Sequence, residues 1–117
     1  MKDNVIYHNP RCGKSRTTLD LLRESGANVE IIEYLKTPPT AVELDEICTK
    51  LGVEPTALIR SKEKLFAELG LSLNDQRSRD EWLKIMAENP KLIERPIVLI
   101  NGKAVIGRPP ETIFDIL

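Results

Sequence analysis

The fold is decided by "NVIYHNPRCGKSRTTLDLLRESGANVEIIEYL", residues 4–35, because this segment predicts a strand, a helix and a second strand. The apolar run NVIYH is typical of a buried strand, and NVEIIEYL is rich in the β-branched residues that favour strands. Between them, Leu19, Leu21 and Leu22 give a helix its apolar face. Gly26 is placed to end that helix. The order indicates a βαβ unit with parallel strands and a right-handed crossover.

The middle of the chain predicts a block of helices. Capping boxes at Thr40–Glu43 and Ser78–Glu81 each start a helix, and Asn89-Pro90 ends the second one. Pro55 suits the first turn of a short helix, and we expect Ser61 to cap another. The side chains expected to face inward are, in chain order, Leu44, Ile47, Cys48, Leu51, Leu58, Ile59, Leu65, Phe66, Leu69, Trp82, Ile85 and Met86.

The end of the chain returns to strands. Asn101-Gly102 between IVLI and KAVI is a strong hairpin signal, so these runs predict an antiparallel pair. Gly107 breaks the second strand, and Pro109-Pro110 starts a terminal helix. The side chains expected inward there are Ile113, Phe114 and Leu117. The resulting order, β-α-β, helices, then β-β-α, predicts an α/β thioredoxin-like fold in one domain, 1–117, with a helical insertion at about 40–90 between its halves.

Composition excludes several classes of function. A chain of 117 residues with a net charge of −1, a pI near 5.9 and 4% aromatic residues gives no reason to expect nucleic-acid binding. It has no long apolar run and no signal peptide, so we expect a cytoplasmic protein without membrane contact. Two cysteines in a reducing compartment predict no structural disulfide. One histidine and two cysteines predict no metal site.

Cys12 lies in the turn between the first strand and the first helix. Unpaired amides at a helix start stabilise a thiolate, and Arg11, Lys14 and Arg16 add positive potential. A cysteine that only packs at a strand end is the alternative. Cys48 lies on the apolar stripe of its own helix, and we expect it to pack there as a small hydrophobe.

Known cysteine and phosphate motifs do not match this loop. A Cys-x-x-Cys pair is absent because the fourth position is Ser15, so Cys12 has no adjacent resolving thiol. A phosphatase-type loop needs arginine where this chain has Thr18, and no Walker pattern is present. Cys-x-x-Ser alone is a weak pattern that also occurs in monothiol glutaredoxins.

Three arginines outside the loop have the planar donors that suit tetrahedral oxyanions. Arg60 ends the run TALIR, Arg95 precedes Pro96 at a strand start, and Arg108 precedes Pro109 at the start of the last helix. Ordinary surface charge is the alternative in a chain with 17 Lys and Arg residues. The predicted hairpin returns Arg95 and Arg108 to one end of the sheet. In thioredoxin-like folds a cis-proline at the place of Pro96 faces the active cysteine.

Taken together, these residues resemble the glutaredoxin-coupled arsenate reductase (ArsC) family. The matching segments are IYHNPRCGKSRTTLDLL, YLKTPPT, ALIR, ERPIVLINGKAVIGRPPE and the final helix. Longer, resistance-type members continue past that helix, so the chain is more similar to the short chromosomal branch. The resemblance implies that Cys12 is the nucleophile and that Arg60, Arg95 and Arg108 bind the oxyanion. It implies supporting roles for His8 and Ser15, and a cis-proline at Pro96.

The mechanism implied by the resemblance is reduction of arsenate to arsenite. The Cys12 thiolate forms an adduct with arsenate, glutathione reduces it as co-substrate, and glutaredoxin removes glutathione from the mixed disulfide. No bound cofactor is needed, and an external thiol reductant fits the lack of a second reactive cysteine. Two other classes stay open. One is a glutaredoxin-like monothiol activity such as deglutathionylation, and the other is non-enzymatic partner binding like that of the related regulator Spx.

Overall fold

The computed structural model describes residues 2–117 and contains one four-stranded sheet. The strands are β1 (Val5–His8), β2 (Glu30–Glu33), β3 (Ile97–Ile100) and β4 (Lys103–Ile106), and the helices are α1 (Gly13–Glu24), α2 (Ala41–Leu51), α3 (Lys64–Glu68) and α4 (Arg79–Glu88). Short 3₁₀ helices span Pro55–Ala57, Pro90–Leu92 and Pro110–Asp115. No helix within residues 2–117 is long and apolar enough to cross a membrane.

The sheet has the order β2-β1-β3-β4. β1 pairs in parallel with β2 and antiparallel with β3, and β4 returns antiparallel to β3. The turn between β3 and β4 has positive φ at both Asn101 (54°) and Gly102 (75°), as a type I′ turn requires. The predicted βαβ unit and hairpin are therefore confirmed, and the fold is the predicted thioredoxin-like one.

The chain divides into two compact units. One comprises the described residues up to Thr37 together with Arg95–Leu117, and the other is Pro38–Glu94. The core of the first unit packs α1 and the C-terminal 3₁₀ helix against the sheet, and its fully buried side chains are Ile6, Leu22, Val98 and Ile113. Ala27 and Gly26 donate to the carbonyls of Leu22 and Arg23. This Schellman pattern confirms that Gly26 ends α1.

The second unit is helical. Both predicted capping boxes are present, at Thr40 with Glu43 and at Ser78 with Glu81. Its buried core side chains include Leu44, Ile47, Cys48, Leu58, Phe66, Trp82, Leu83 and Met86. Leu83 was not among the residues expected inward, and Leu51, Leu65 and Ile85 are only partly buried.

Two predicted helix details are wrong. Glu63, not Ser61, is the N-cap residue of α3, and the helix is only five residues long. Leu69 is therefore its C-cap residue and is 44% exposed instead of facing inward.

The α-helical period predicted for the terminal helix is also wrong. It is a 3₁₀ helix, in which residues three apart share a face. Ile113 and Ile116 are buried for that reason, whereas Phe114 and Leu117, which an α-helical period turns inward, are 53% and 48% exposed.

This period predicts a large effect of truncating Ile113 and a small effect of truncating its neighbour Phe114. Ile113→Ala should lower the free energy of unfolding by about 2–5 kcal/mol, because it leaves a cavity against α1. Phe114→Ala should change it by less than about 1 kcal/mol. Urea unfolding of both variants checks this, and a larger loss for Phe114→Ala would show that an α-helical period holds instead.

Candidate active site

Cys12 is the N-cap residue of α1, with extended backbone (φ −95°, ψ 122°). Its N–H donates to the Asn9 carbonyl at 3.0 Å, and its own carbonyl accepts from the Arg16 N–H at 3.0 Å. Within residues 2–117 no side chain caps this helix start, and the first turn contains no acidic residue. The first-turn amides are therefore directed at whatever lies before the helix, and their partial positive charge favours an anion there. Cys12 itself is half-buried.

Ser15 ties the first turn of α1 to the end of β1. Its side chain is fully buried. The hydroxyl oxygen accepts from the Asn9 N–H at 3.0 Å and shares a 2.7 Å hydrogen bond with Nδ1 of His8. The loop that carries Cys12 is thus held from inside by one hydroxyl group.

His8 is neutral at neutral pH. Burial lowers the pKa of its imidazole below the ordinary value of 6.5; Glu33 opposes this shift, and Arg23 and Arg16 add to it. Only 7% of the residue is exposed. With a neutral ring, Nδ1 can accept the hydrogen bond from the Ser15 hydroxyl, which keeps the hydroxyl oxygen free to accept from the Asn9 amide.

Gly107 lies in close contact with α1 and with Pro96. A Cβ atom at this position would lie 2.6 Å from Oγ1 of Thr18 and 2.8 Å from Cγ of Pro96, both too short for any real contact. The Gly107 N–H donates to the Pro96 carbonyl at 2.9 Å. The buried Thr18 hydroxyl donates to the Lys14 carbonyl at 2.7 Å and lies 3.5 Å from the Gly107 carbonyl oxygen. Only glycine allows the chain to leave β4 along this path.

Arg95 and Arg108 are brought together by this arrangement. Nη1 of Arg108 donates to the Arg95 carbonyl at 3.3 Å. Arg108 is exposed, whereas Arg95 is half-buried, with its Nε and Nη1 atoms fully buried. The Arg95–Pro96 peptide bond is cis, as the family resemblance implied, and so is the Arg108–Pro109 bond.

Most of the predicted site residues lie at one edge of the sheet. The register aligns Tyr7 of β1 with Ile97 of β3, and Ile97 with Ile106 of β4. The loop after β1, the residues before β3 and the residues after β4 therefore meet at that edge. The predicted residues that the structure places there are Cys12, Arg95, Arg108, His8, Ser15 and Pro96.

Arg60 belongs to the second unit. There its Nη1 donates to Oε2 of Glu63 at 2.7 Å, and its Nε lies 3.7 Å from Oε1 of Glu94. Both carboxylates compensate its charge within that unit. Its role in binding an oxyanion stays a prediction.

Cys48 is fully buried on the inner face of α2, as predicted for a packing residue. Burial raises the pKa of its thiol above the ordinary value of 9.0, which disfavours the reactive thiolate. Across residues 2–117 no group of three or more His, Cys, Asp or Glu side chains is arranged to hold a metal ion.

Sequence reasoning missed two positioning residues. Gly107 was expected only to end a strand, and Thr18 was considered only as a missing arginine. A signal for Thr18 was available, since it falls with Ser15, Leu19 and Leu22 on the buried stripe of α1. Two hydroxyl residues on such a stripe indicate buried polar contacts.

Gly107→Ala should lower the free energy of unfolding by about 1–3 kcal/mol and weaken anion binding at the site. The added methyl group forces Pro96 and α1 apart, as overpacking does. Gly13→Ala is the control for stability, because a Cβ there meets nothing closer than 3.8 Å. Urea unfolding and sulfate titration measure both effects. Equal stability of the two variants would contradict the close contact.

Stability should fall as the pH is lowered through the titration of His8. Because burial lowers the folded-state pKa, the unfolded chain binds the proton first, so stability decreases below pH 6.5 until the folded-state pKa is reached. His8→Asn should lose less stability than the parent between pH 7.5 and 5.5. The single imidazole also allows its pKa to be read directly by NMR, and a midpoint at or above 6.5 would refute the argument.

Comparison with known proteins identifies the relatives of this chain. The profile of the ArsC family matches residues 7–116. A protein from Escherichia coli K12 named "Uncharacterized protein YfgD" is 49% identical, with 99% of this chain and 98% of that protein covered. A Neisseria meningitidis serogroup A protein named "Arsenate reductase" is 48% identical, with both chains fully covered. The solved structure titled "Arsenate reductase from Vibrio cholerae" superposes with a TM-score of 0.91 at 51% identity, covering 97% of this chain and 96% of that one. The chain therefore belongs to the ArsC family.

Proposed function

We propose that this protein is an arsenate reductase that works through Cys12. The observation that carries the proposal is the position of Cys12 at an uncapped helix start, on the sheet edge that also holds Arg95 and Arg108. A relative 48% identical along its whole length is named an arsenate reductase, which supports the same substrate. We place the reaction in the cytoplasm, where thiols are kept reduced.

Arsenate is a tetrahedral oxyanion, and the site offers two kinds of donor for it. The first-turn amides of α1 bind one side of the anion through their unpaired N–H groups. The guanidinium groups of Arg95 and Arg108 bind its other oxygens through charge-assisted hydrogen bonds. On the strength of the family resemblance, the proposal includes Arg60 as a third arginine.

The first chemical step forms a sulfur–arsenic bond. The Cys12 thiolate attacks As(V), one arsenic–oxygen bond breaks, and that hydroxyl oxygen leaves as water after taking up a proton. The same amides and arginines hold the remaining oxygens as negative charge redistributes over them. Donors fixed before the reaction need no reorganisation during it, which is how preorganised sites lower a barrier.

Reduction requires a second thiol, which we assign to glutathione as co-substrate. Its thiolate attacks the sulfur of Cys12, a disulfide forms, and the electron pair of the sulfur–arsenic bond passes to arsenic. Arsenic becomes As(III) and leaves as arsenite after protonation. Glutaredoxin then attacks the glutathione sulfur of the mixed disulfide and returns Cys12 as a thiolate. The two thiols supply the two electrons, so the proposal needs no bound cofactor.

Deglutathionylation of other thiols is the second candidate. This activity needs one accessible thiol and no resolving thiol. Cys12 is half-buried and Cys48 is fully buried. Ser15 takes the place of a second motif cysteine. Such a protein turns over a glutathione mixed disulfide but leaves arsenate unchanged.

An arsenate reduction assay with glutathione and glutaredoxin tests the proposal. The parent protein should release arsenite, Cys12→Ser should release none, and Cys48→Ala should keep most of the activity while losing about 1–2 kcal/mol of stability. Activity in Cys12→Ser, or its loss in a folded Cys48→Ala, would refute the assignment. Turnover of a glutathione mixed disulfide without arsenite release would favour deglutathionylation.

Lysine substitutions test the arginines separately. Arg95→Lys and Arg108→Lys keep the charge but lose the paired donors of the guanidinium group, so the KM for arsenate should rise about tenfold. Lys84→Arg, at an exposed position of α4, is the control and should leave KM unchanged. Unchanged KM in both arginine variants would remove them from the site.

A further inference from the structure

A cavity of about 390 Å³ lies beside the loop that carries Cys12. Its walls are residues 8–11, at the end of β1 and in the loop after it, together with Glu33 at the end of β2 and Leu35 and Lys36 just beyond. All of these residues belong to the first compact unit. The volume is within the range of about 300–1,000 Å³ that is usual for small-molecule sites. Nothing in the proposed reaction of arsenate uses this cavity.

The cavity presents opposite charges side by side. Arg11 and Lys36 supply two exposed cations, and Glu33 supplies one carboxylate. Nζ of Lys36 lies 3.6 Å from Oε1 of Glu33, and their side chains are 77% and 42% exposed. An exposed ion pair at this distance contributes little to stability, because water screens its charges. A ligand that carries both a carboxylate and an ammonium group can therefore replace each partner of the pair with its own group.

The cavity wall is fixed relative to Cys12. Arg11 precedes Cys12 directly, so their Cα atoms are about 3.8 Å apart. The Arg11 N–H donates to Oδ1 of Asn9 and the Cys12 N–H donates to the Asn9 carbonyl, both at 3.0 Å. Asn9 thus holds one residue of the cavity and the reactive residue in a single turn. A ligand held in the cavity lies against the same turn that carries Cys12.

We propose that this cavity binds the γ-glutamyl end of glutathione, with its carboxylate on Arg11 and Lys36 and its ammonium group on Glu33. That end carries both groups on one carbon, as the charge pattern requires. Its carbon lies about two residue lengths, roughly 7 Å, from the cysteinyl Cα, so the thiol can reach Cys12. This inference rests on the proposed function, because it assigns a site to the reductant of that reaction.

A reaction without arsenate tests the site. The Cys12 thiolate attacks one sulfur of glutathione disulfide, the sulfur–sulfur bond breaks, and one glutathione leaves as thiolate. The rate is compared with that for hydroxyethyl disulfide, which has neither charge, in a Cys48→Ala background. The quantity measured is the rate with glutathione disulfide divided by the rate with hydroxyethyl disulfide. This ratio cancels any change in the reactivity of Cys12 itself and isolates recognition of glutathione.

Lys36→Glu and Arg11→Glu should each lower this ratio about fivefold. Lys84→Glu changes the net charge by the same amount at an exposed position of α4, and it should leave the ratio unchanged. Glu33→Gln is the decisive variant. The ammonium contact predicts that the ratio falls about threefold, whereas simple attraction of an anionic disulfide to net positive charge predicts that it rises.

The proposal stands if the ratio falls in Lys36→Glu, Arg11→Glu and Glu33→Gln while it stays constant in Lys84→Glu. Any other pattern overturns it. A rise in Glu33→Gln would show that net charge alone is sensed. Failure of the proposed function is a separate result, seen as absence of arsenite release while the ratios change as predicted. Failure of this inference is seen as constant ratios in a protein that does reduce arsenate.

Discussion

The contact of Gly107 with Thr18 and Pro96 is the constraint on which the site depends. A single Cβ atom at Gly107 would overlap both neighbours, so the chain can leave β4 along this path only because the side chain is absent. The approach fixes three segments of the first unit at once, namely α1, the residues before β3 and the residues after β4. Arg108 follows this contact directly and donates to the carbonyl of Arg95. A packing requirement in the interior thus places two arginines, one half-buried and one exposed, beside each other.

The buried hydroxyl of Ser15 fixes the position of the loop that carries Cys12. It accepts from the amide of Asn9 and bonds to the ring of His8, which burial keeps neutral. Asn9 in turn holds Arg11 and Cys12. The loop therefore places Cys12 at the start of α1 and Arg11 in the wall of the neighbouring cavity. On our proposals, arsenate binds at the helix start and the arginines, glutathione binds in the cavity, and both react with the sulfur of Cys12.

Elements with a local signature could be predicted from the sequence. The Asn101-Gly102 turn, the two capping boxes and Gly26 each act within a few residues, and all were confirmed. The terminal helix was assigned the wrong period, because nothing local in Pro110–Asp115 separates a 3₁₀ from an α-helical turn; packing of Ile113 and Ile116 on the core decides it.

The candidate site divides in the same way. The helix-start position of Cys12 follows from local pattern, and the hairpin brings Arg95 and Arg108 to one edge. The interlock of Gly107 with Thr18 joins residues far apart in the chain, so no local rule could supply it. Arg60 was carried over from the resemblance alone, and its place at the site stays a prediction.

A crystal structure of the Cys48→Ala protein grown with arsenate, with arsenic located by anomalous scattering, tests the central claim most directly. The account predicts one arsenic atom at bonding distance from Sγ of Cys12, with its oxygens on the first-turn amides of α1 and on the guanidinium groups of Arg95 and Arg108. Arsenic bound away from Cys12, or bound there without contact to either arginine, would contradict it.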